Sequence, residues 1–299
     1  MVSAVVFAYH DVGVRCLQVL LAQDVDVRLV VTHEDSPGET IWFASVKKLA
    51  EELELPVVTP DDSNSNEIVE RVRVAQPDFL FSFYYRQMLK PPLLRIPSRG
   101  AYNMHGSLLP KYRGRVPVNW AVINGETETG ATLHVMAEKP DAGAIVDQTA
   151  VPILPNDTAW EVFDKVVVAA EITLSRCLPA LLKGHATLTP QDLSQGSYFG
   201  GRKAEDGRID WTISARDIHN LVRGVTRPYP GAFSETAKGR LVIWRTLLLP
   251  ATDVGAPVLM LKDNHIVARC ADGGVLRILE AELNGKPLTS DILPMALTI

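Results

Sequence analysis

Asn103 and His105 stand two residues apart in AYNMH, and an extended segment turns both side chains to one face. A carboxamide beside an imidazole suits acyl transfer. The amide N–H stabilises an oxyanion and the imidazole carries a proton. Spacing alone leaves a second reading open, two polar residues at an ordinary strand end. Asp141 is the candidate third member, in the loop after Lys139 and Pro140 and before Gly143. A carboxylate beside an imidazole orients it and raises its pKa. Sequence does not by itself bring Asp141 to His105, and a loop Asp is also an ordinary turn residue.

The run HGSLLPKYRGRVP follows directly. Gly106 and Gly114 permit close backbone approach, and Pro110 and Pro117 stiffen the path. Lys111, Arg113 and Arg115 are cations for an anionic substrate, or the charges of a solvated loop. Arg202 in YFGGRK follows Gly200 and Gly201. Its guanidinium suits a bidentate grip on a diphosphate; the competing reading is a linker charge. Tyr84 and Tyr85, followed by Arg86, end an apolar run. They either pack a sheet edge or line a pocket for a flat ring.

Other features argue against other chemistries. AYHDVG holds one glycine and no G-x-G-x-x-G, which speaks against an ordinary dinucleotide site. His134 in TLHVM reads as a structural strand residue. His10, His33, His185, His219 and His265 show no metal-ligand spacing, so no metal is expected.

The elements that must carry these residues alternate. Ser3 to Ala8, Val25 to Val31, Val57 to Val58, Phe79 to Phe83 and Ala101 to His105 read as strands. Val12 to Ala22, Trp42 to Leu53 and Glu67 to Ala75 read as helices between them. Alternation of this kind predicts an α/β fold with a parallel-rich sheet and ligands beyond the strands' carboxyl ends. Thr129 to Met136 and Ala144 to Ile153 are two more strands, and Asp157 is the expected cap of a long helix to about Leu182. After Gly184 the composition turns to Gly, Ser, Thr and Gln. One helix, Ala215 to Val225, and short strands Leu241 to Thr246, His265 to Ala271 and Val275 to Glu282 follow. That spacing predicts a small barrel or sandwich. The expected division is 1–188 as catalytic domain, 189–204 as linker and 205–299 as second domain.

Length 299 and a hydrophobic content of 46% allow one large and one small core. A net charge of −5 without a basic run disfavours a nucleic-acid partner. Cys16, Cys177 and Cys270 have neither disulfide nor zinc spacing and are expected to be buried free thiols. MVSAVVFAYHDVG reads as a strand rather than a signal peptide, and no stretch nears the ~18 apolar residues of a membrane helix. A cytoplasmic location is expected.

AYNMHGSLLPKYRGRVPVNWAVINGETETGATLHVM, followed by EKPDAGAIV, resembles the catalytic core of the folate-dependent formyltransferases. The resemblance continues through GRIDW and RPYPGAF, so it spans most of the chain. It implies a Rossmann-like domain followed by an OB-like barrel. It also implies 10-formyltetrahydrofolate as co-substrate. By the same resemblance, Asn103 holds the oxyanion, His105 is the acid–base group, and Asp141 raises the His105 pKa. Gln87, Met88, Leu89, Arg115, Ala137, Glu138, Lys139, Pro140 and Asp141 are the implied folate contacts.

Within the family, FAYHDVG, FSFYYR and HGSLLPKYRGR are most similar to the branch that formylates UDP-4-amino-4-deoxy-L-arabinose in lipid A modification and polymyxin resistance. Relatives acting on methionyl-tRNA usually carry Ala where Gly106 stands and lack the FSFYYR wording. The dehydrogenase half known from that branch has no counterpart before the chain ends at Ile299. The chain would then be a stand-alone version or an excised domain, and the motif resemblance makes a nucleotide-linked amino sugar the expected acceptor. Methionyl-tRNA formylation, formylfolate hydrolysis and a non-catalytic folate or nucleotide-sugar binding module remain as alternatives.

Overall fold

The computed structural model describes residues 1–35, 41–251, 254–291, 293 and 296–299. The chain divides into two compact units. The first is Met1–Arg115, Thr129–Val151 and Asp164–Phe199; the second is Val116–Glu128, Pro152–Phe163 and Gly200–Ile299. No single sequence boundary separates them.

The elements up to the middle of the chain are β1 (Ser3–Ala8), α1 (His10–Ala22), β2 (Asp26–Val31), α2 (Val46–Glu52), β3 (Val57–Val58), α3 (Asn66–Ala75), β4 (Phe79–Phe83), α4 (Pro91–Leu94), β5 (Ala101–His105), β6 (Arg113–Gly114), α5 (Pro117–Ile123), β7 (Glu128–Val135), β8 (Ile145–Pro152) and α6 (Ala159–Leu182). One sheet runs β3-β2-β1-β4-β5-β7-β8. Strands β3, β2, β1, β4 and β5 pair in parallel, and β7 runs antiparallel to β5. The parallel strands SAVVFA and FLFSF are buried along their whole length. This is why they read as continuous apolar runs rather than alternating ones. Chain direction reverses its course across the sheet between β1 and β4, and the carboxyl ends beside this switch are where α/β ligands bind.

Two expectations about helix starts are corrected. The helix expected from Trp42 starts at Val46, because the Ser45 hydroxyl accepts the Lys48 N–H and caps it. Trp42 and Phe43 lie ahead of that cap and pack on the His10 ring, with centroids 4.5 and 3.9 Å away. Asp157 does not cap α6. The Thr158 hydroxyl accepts the Glu161 N–H at 3.3 Å, and the Glu161 carboxylate accepts the Thr158 N–H at 2.8 Å. This reciprocal pair is a capping box, and Asp157 instead accepts the Leu154 N–H.

The segment expected to be a linker contains β9 (Tyr198–Phe199), which pairs in parallel with β6. Upstream of it, Thr189 bridges Ile145 and the Gln191 amide donates to the carbonyls of Asp141 and Gly143. Phe199 also stacks on Tyr112, with centroids 5.2 Å apart. These bonds use backbone and amide groups, so composition and periodicity carry no sign of them.

The second unit holds α5, α7 (Ala215–Val225), β10 (Ala232–Thr236), β11 (Gly239–Leu249), β12 (Val258–Lys262), β13 (His265–Arg269), β14 (Val275–Leu283), β15 (Lys286–Pro287) and β16 (Ala296–Thr298). The strands form a curled antiparallel half-barrel in the order β10-β11-β14-β13-β12-β16. Ile218, Leu221, Val222 and Val225 of α7 pack with Leu241, Ile243 and Leu276 in its core. Arg223 is buried and spends its guanidinium on carbonyl oxygens of Val122, Leu154 and Asp157. All three cysteines are buried free thiols, and burial pushes Cys177 and Cys270 up to about 12.

Candidate active site

The last residues of β5 are Asn103, Met104 and His105. Asn103 pairs across the ladder with His134 of β7, and His105 with Thr132. Alternation along both strands therefore sets four polar side chains on one face. Thr132 fixes the loop that leaves β5. Its hydroxyl donates to the Ser107 carbonyl at 2.6 Å and accepts the Leu109 N–H at 3.2 Å.

That loop turns back onto the imidazole. His105 Nε2 lies 2.7 Å from the Tyr112 carbonyl oxygen and donates to it, because a carbonyl only accepts. Nδ1 therefore carries the lone pair of the neutral ring, and it lies 3.7 Å from Asp141 Oδ1. The other oxygen, Oδ2, accepts the Gly114 N–H at 2.9 Å. Gly114 has φ +100°, and a Cβ there would meet the Phe199 carbonyl oxygen at 2.1 Å. Only glycine lets this backbone pass between Asp141 and β9.

Asn103, His105 and Asp141 thus lie together, and His134 lies with them. His134 Nε2 is 3.1 Å from Asn103 Nδ2 and 3.5 Å from Asp141 Oδ1. Sequence reading left His134 out. The signal that finds it is strand register, which no spacing in a single strand supplies.

Asp141 raises the His105 pKa, as expected of a neighbouring carboxylate, but it is not the largest influence. Burial lowers the His105 pKa, and the attraction of Asp141, which alone would raise it, only partly offsets this. The imidazole is uncharged at neutral pH. For Asp141, burial raises the pKa, but the neighbouring imidazoles and the Gly114 N–H outweigh it and hold the carboxyl well below its ordinary range. The pair is a neutral base beside a fixed negative charge.

The other candidates fall into distinct settings. The Gln87 side chain is used internally: its Oε1 accepts from Ser63 and its Nε2 donates to the Asp61 carbonyl. Leu89 is buried among Val5, Phe7 and Leu93, while Met88 is 58% exposed. Ala137, Glu138 and Lys139 are exposed, and Pro140 is partly buried. Arg115 exposes its side chain and donates its N–H to the Phe199 carbonyl. Arg113 is buried, so it is not a cation of a solvated loop. The Tyr84 hydroxyl lies against Gly106, where an added Cβ would meet it at 1.8 Å. Tyr85 stacks on His33 at 4.1 Å and meets Phe7 edge-on at 5.3 Å. In the second unit, the Arg202 guanidinium lies over the Trp120 ring at 4.6 Å and donates to the Asp206 carbonyl. It lines a cavity of about 170 Å³ with Lys203, Asn119 and Tyr229.

No group of His, Cys, Asp and Glu with the makings of a metal site occurs among the described residues. Nor is any described helix long and apolar enough to cross a membrane.

An α/β sheet with polar side chains at the carboxyl end of β5 is thus joined in one chain to an antiparallel half-barrel. The formyl transferase model matches residues 14–178, and the formyl transferase C-terminal domain model matches residues 202–291. The chain belongs to the formyltransferase family.

Solved structures share the fold. An N-formyltransferase from Helicobacter canadensis, in complex with folinic acid and dTDP-3-aminofucose, is 21% identical with a TM-score of 0.72. The match covers 93% of this chain and 99% of that one. The sugar 3N-formyltransferase WlaRD, in the presence of dTDP and 5-N-formyl-THF, is 22% identical with a TM-score of 0.70, over 96% and 99% of the two chains. A sugar N-formyltransferase from Shewanella sp. FDAARGOS_354 is 21% identical with a TM-score of 0.66, over 85% and 100%.

Proposed function

We propose that this chain moves the formyl group of 10-formyltetrahydrofolate onto the amine of a nucleotide-linked amino sugar. The observation that carries the reading is the neutral His105 beside ionised Asp141 and the Asn103 amide, in a chain of the formyltransferase family. Folate and dTDP-sugar ligands of the similar structures support both substrate classes.

His105 Nδ1 takes the proton from the attacking amine as the new C–N bond forms. Asn103 donates an amide N–H to the former formyl oxygen as negative charge gathers there, a contribution of about 3–4 kcal/mol per donor. Asp141 stabilises the resulting imidazolium. His105 then returns the proton to the folate nitrogen as its bond to the formyl carbon breaks. Met88, Arg115, Ala137, Glu138 and Lys139 offer exposed groups to the folate, and the partly buried Pro140 and Asp141 complete that loop. Gln87 and Leu89 act through their backbone.

We take UDP-4-amino-4-deoxy-L-arabinose as the acceptor. FSFYYR and Gly106 form one steric unit, since the Tyr84 hydroxyl fills the space of a side chain at 106. The test is an acceptor screen with 10-formyltetrahydrofolate, using UDP- and dTDP-linked amino sugars, initiator methionyl-tRNA, and water alone. The expected result is turnover on the UDP-amino sugar, with KM rising only modestly between low and physiological salt. Turnover confined to tRNA, with affinity falling by ~10³ over that salt range, would replace this acceptor with methionyl-tRNA.

Arg202 of the second unit is the proposed grip on the acceptor's diphosphate; Tyr84 and Tyr85 of the first unit are, as a separate proposal, contacts to the acceptor. Arg202→Ala is expected to raise KM for the sugar nucleotide about tenfold, the scale of a charged hydrogen bond. KM for formylfolate is expected to stay put. Unchanged values for both would return Arg202 to a purely structural role on Trp120.

A further inference from the structure

We propose that His134 is a positioning residue for the transfer, acting through Asn103; the proposal rests on the catalytic reading of Asn103 above. His134 is 2% exposed. Its Nδ1 lies 2.9 Å from the Val135 carbonyl oxygen, so Nδ1 bears the hydrogen. In the neutral ring Nε2 is then an acceptor, and the only orientation of the Asn103 carboxamide that suits it turns the NH₂ toward His134, at 3.1 Å. The reverse orientation sets the amide oxygen lone pairs against the Nε2 lone pair. Asp141 Oδ1, at 3.5 Å from Nε2, lies beyond ordinary N–H···O range.

A primary amide has two N–H bonds in one plane. Once the first is held by His134, the direction of the second is set. That second N–H is the one available to the developing oxyanion. The Val135 carbonyl selects the His134 tautomer, the tautomer selects the Asn103 orientation, and the orientation aims the donor. Preorganisation of this kind supplies rate rather than binding, because the amide makes its strongest bond in the transition state.

A double-mutant cycle tests this, read as formyl loss from formylfolate in whichever acceptor assay is active, so a wrong acceptor does not confuse the result. His134→Leu is expected to lower kcat roughly tenfold to a hundredfold, the size of coupling within one hydrogen-bond network, with both KM values held. In an Asn103→Ala background the same change is expected to cost nothing further. His134→Gln offers an amide oxygen to Asn103 and is expected to recover most of the lost kcat. A His134→Leu penalty of full size without Asn103 would overturn the proposal. So would a folded His134→Gln variant as impaired as His134→Leu. If wild-type protein releases no formyl group with any acceptor, the catalytic reading fails, which is a separate outcome.

Discussion

Replacing His105 by alanine is expected to lower turnover by roughly 10²–10⁴, the range for loss of an acid–base group. The imidazole has one hydrogen bond to backbone, at Tyr112, and its other nitrogen faces Asp141. The variant should therefore fold, and circular dichroism with a melting curve checks that it does. A folded His105→Ala enzyme turning over like wild type would remove His105 from the chemistry. The pH profile supplies a second readout. Burial depresses the His105 pKa below its ordinary 6.5. The base form then persists as pH falls through 6.5, and the acid limb of kcat/KM is expected below that value. Asp141→Asn removes the charge that pulls His105 upward. It should shift the limb to still lower pH while reducing kcat.

The second large effect is expected at Asn103. Asn103→Ala removes the oxyanion donor and is expected to cost about 10²–10³ in kcat, the usual result of losing one such donor. KM for either substrate should change little, because a neutral formyl oxygen gains far less from the donor than an oxyanion does. Pre-steady-state measurement of formyl transfer separates this from slow product release. A loss confined to KM would make Asn103 a binding residue.

The buried strands of the first unit were readable because a strand covered on both faces is mostly apolar, as in SAVVFA and FLFSF, where a single serine is the only polar residue of each. The common face of Asn103 and His105 follows from alternation alone. Everything that crosses between strands was invisible: His134 reaches Asn103 through the β5–β7 register. The net direction of the His105 shift was also hidden, since it depends on burial that no local motif encodes. Short pairings such as Arg113–Gly114 with Tyr198–Phe199 involve two residues a side, too few for any period. At α6 the signature is present in the sequence itself, since Thr158 and Glu161 form the capping box one residue past Asp157.

The chain passes between its two compact units five times, at the ends of the stretches closing with Arg115, Glu128, Val151, Phe163 and Phe199. Two short excursions belong to the second unit although they lie inside the sequence of the first. Arg223 holds both: Val122 in one, Leu154 and Asp157 in the other. Cutting after Phe199 would leave the half-barrel without α5, and would strand Val118, Ala121 and Val122, which are buried in the intact protein, on the wrong fragment. In evolutionary terms the two units form one inheritable block. Recombination at any single point splits the second unit or breaks the first.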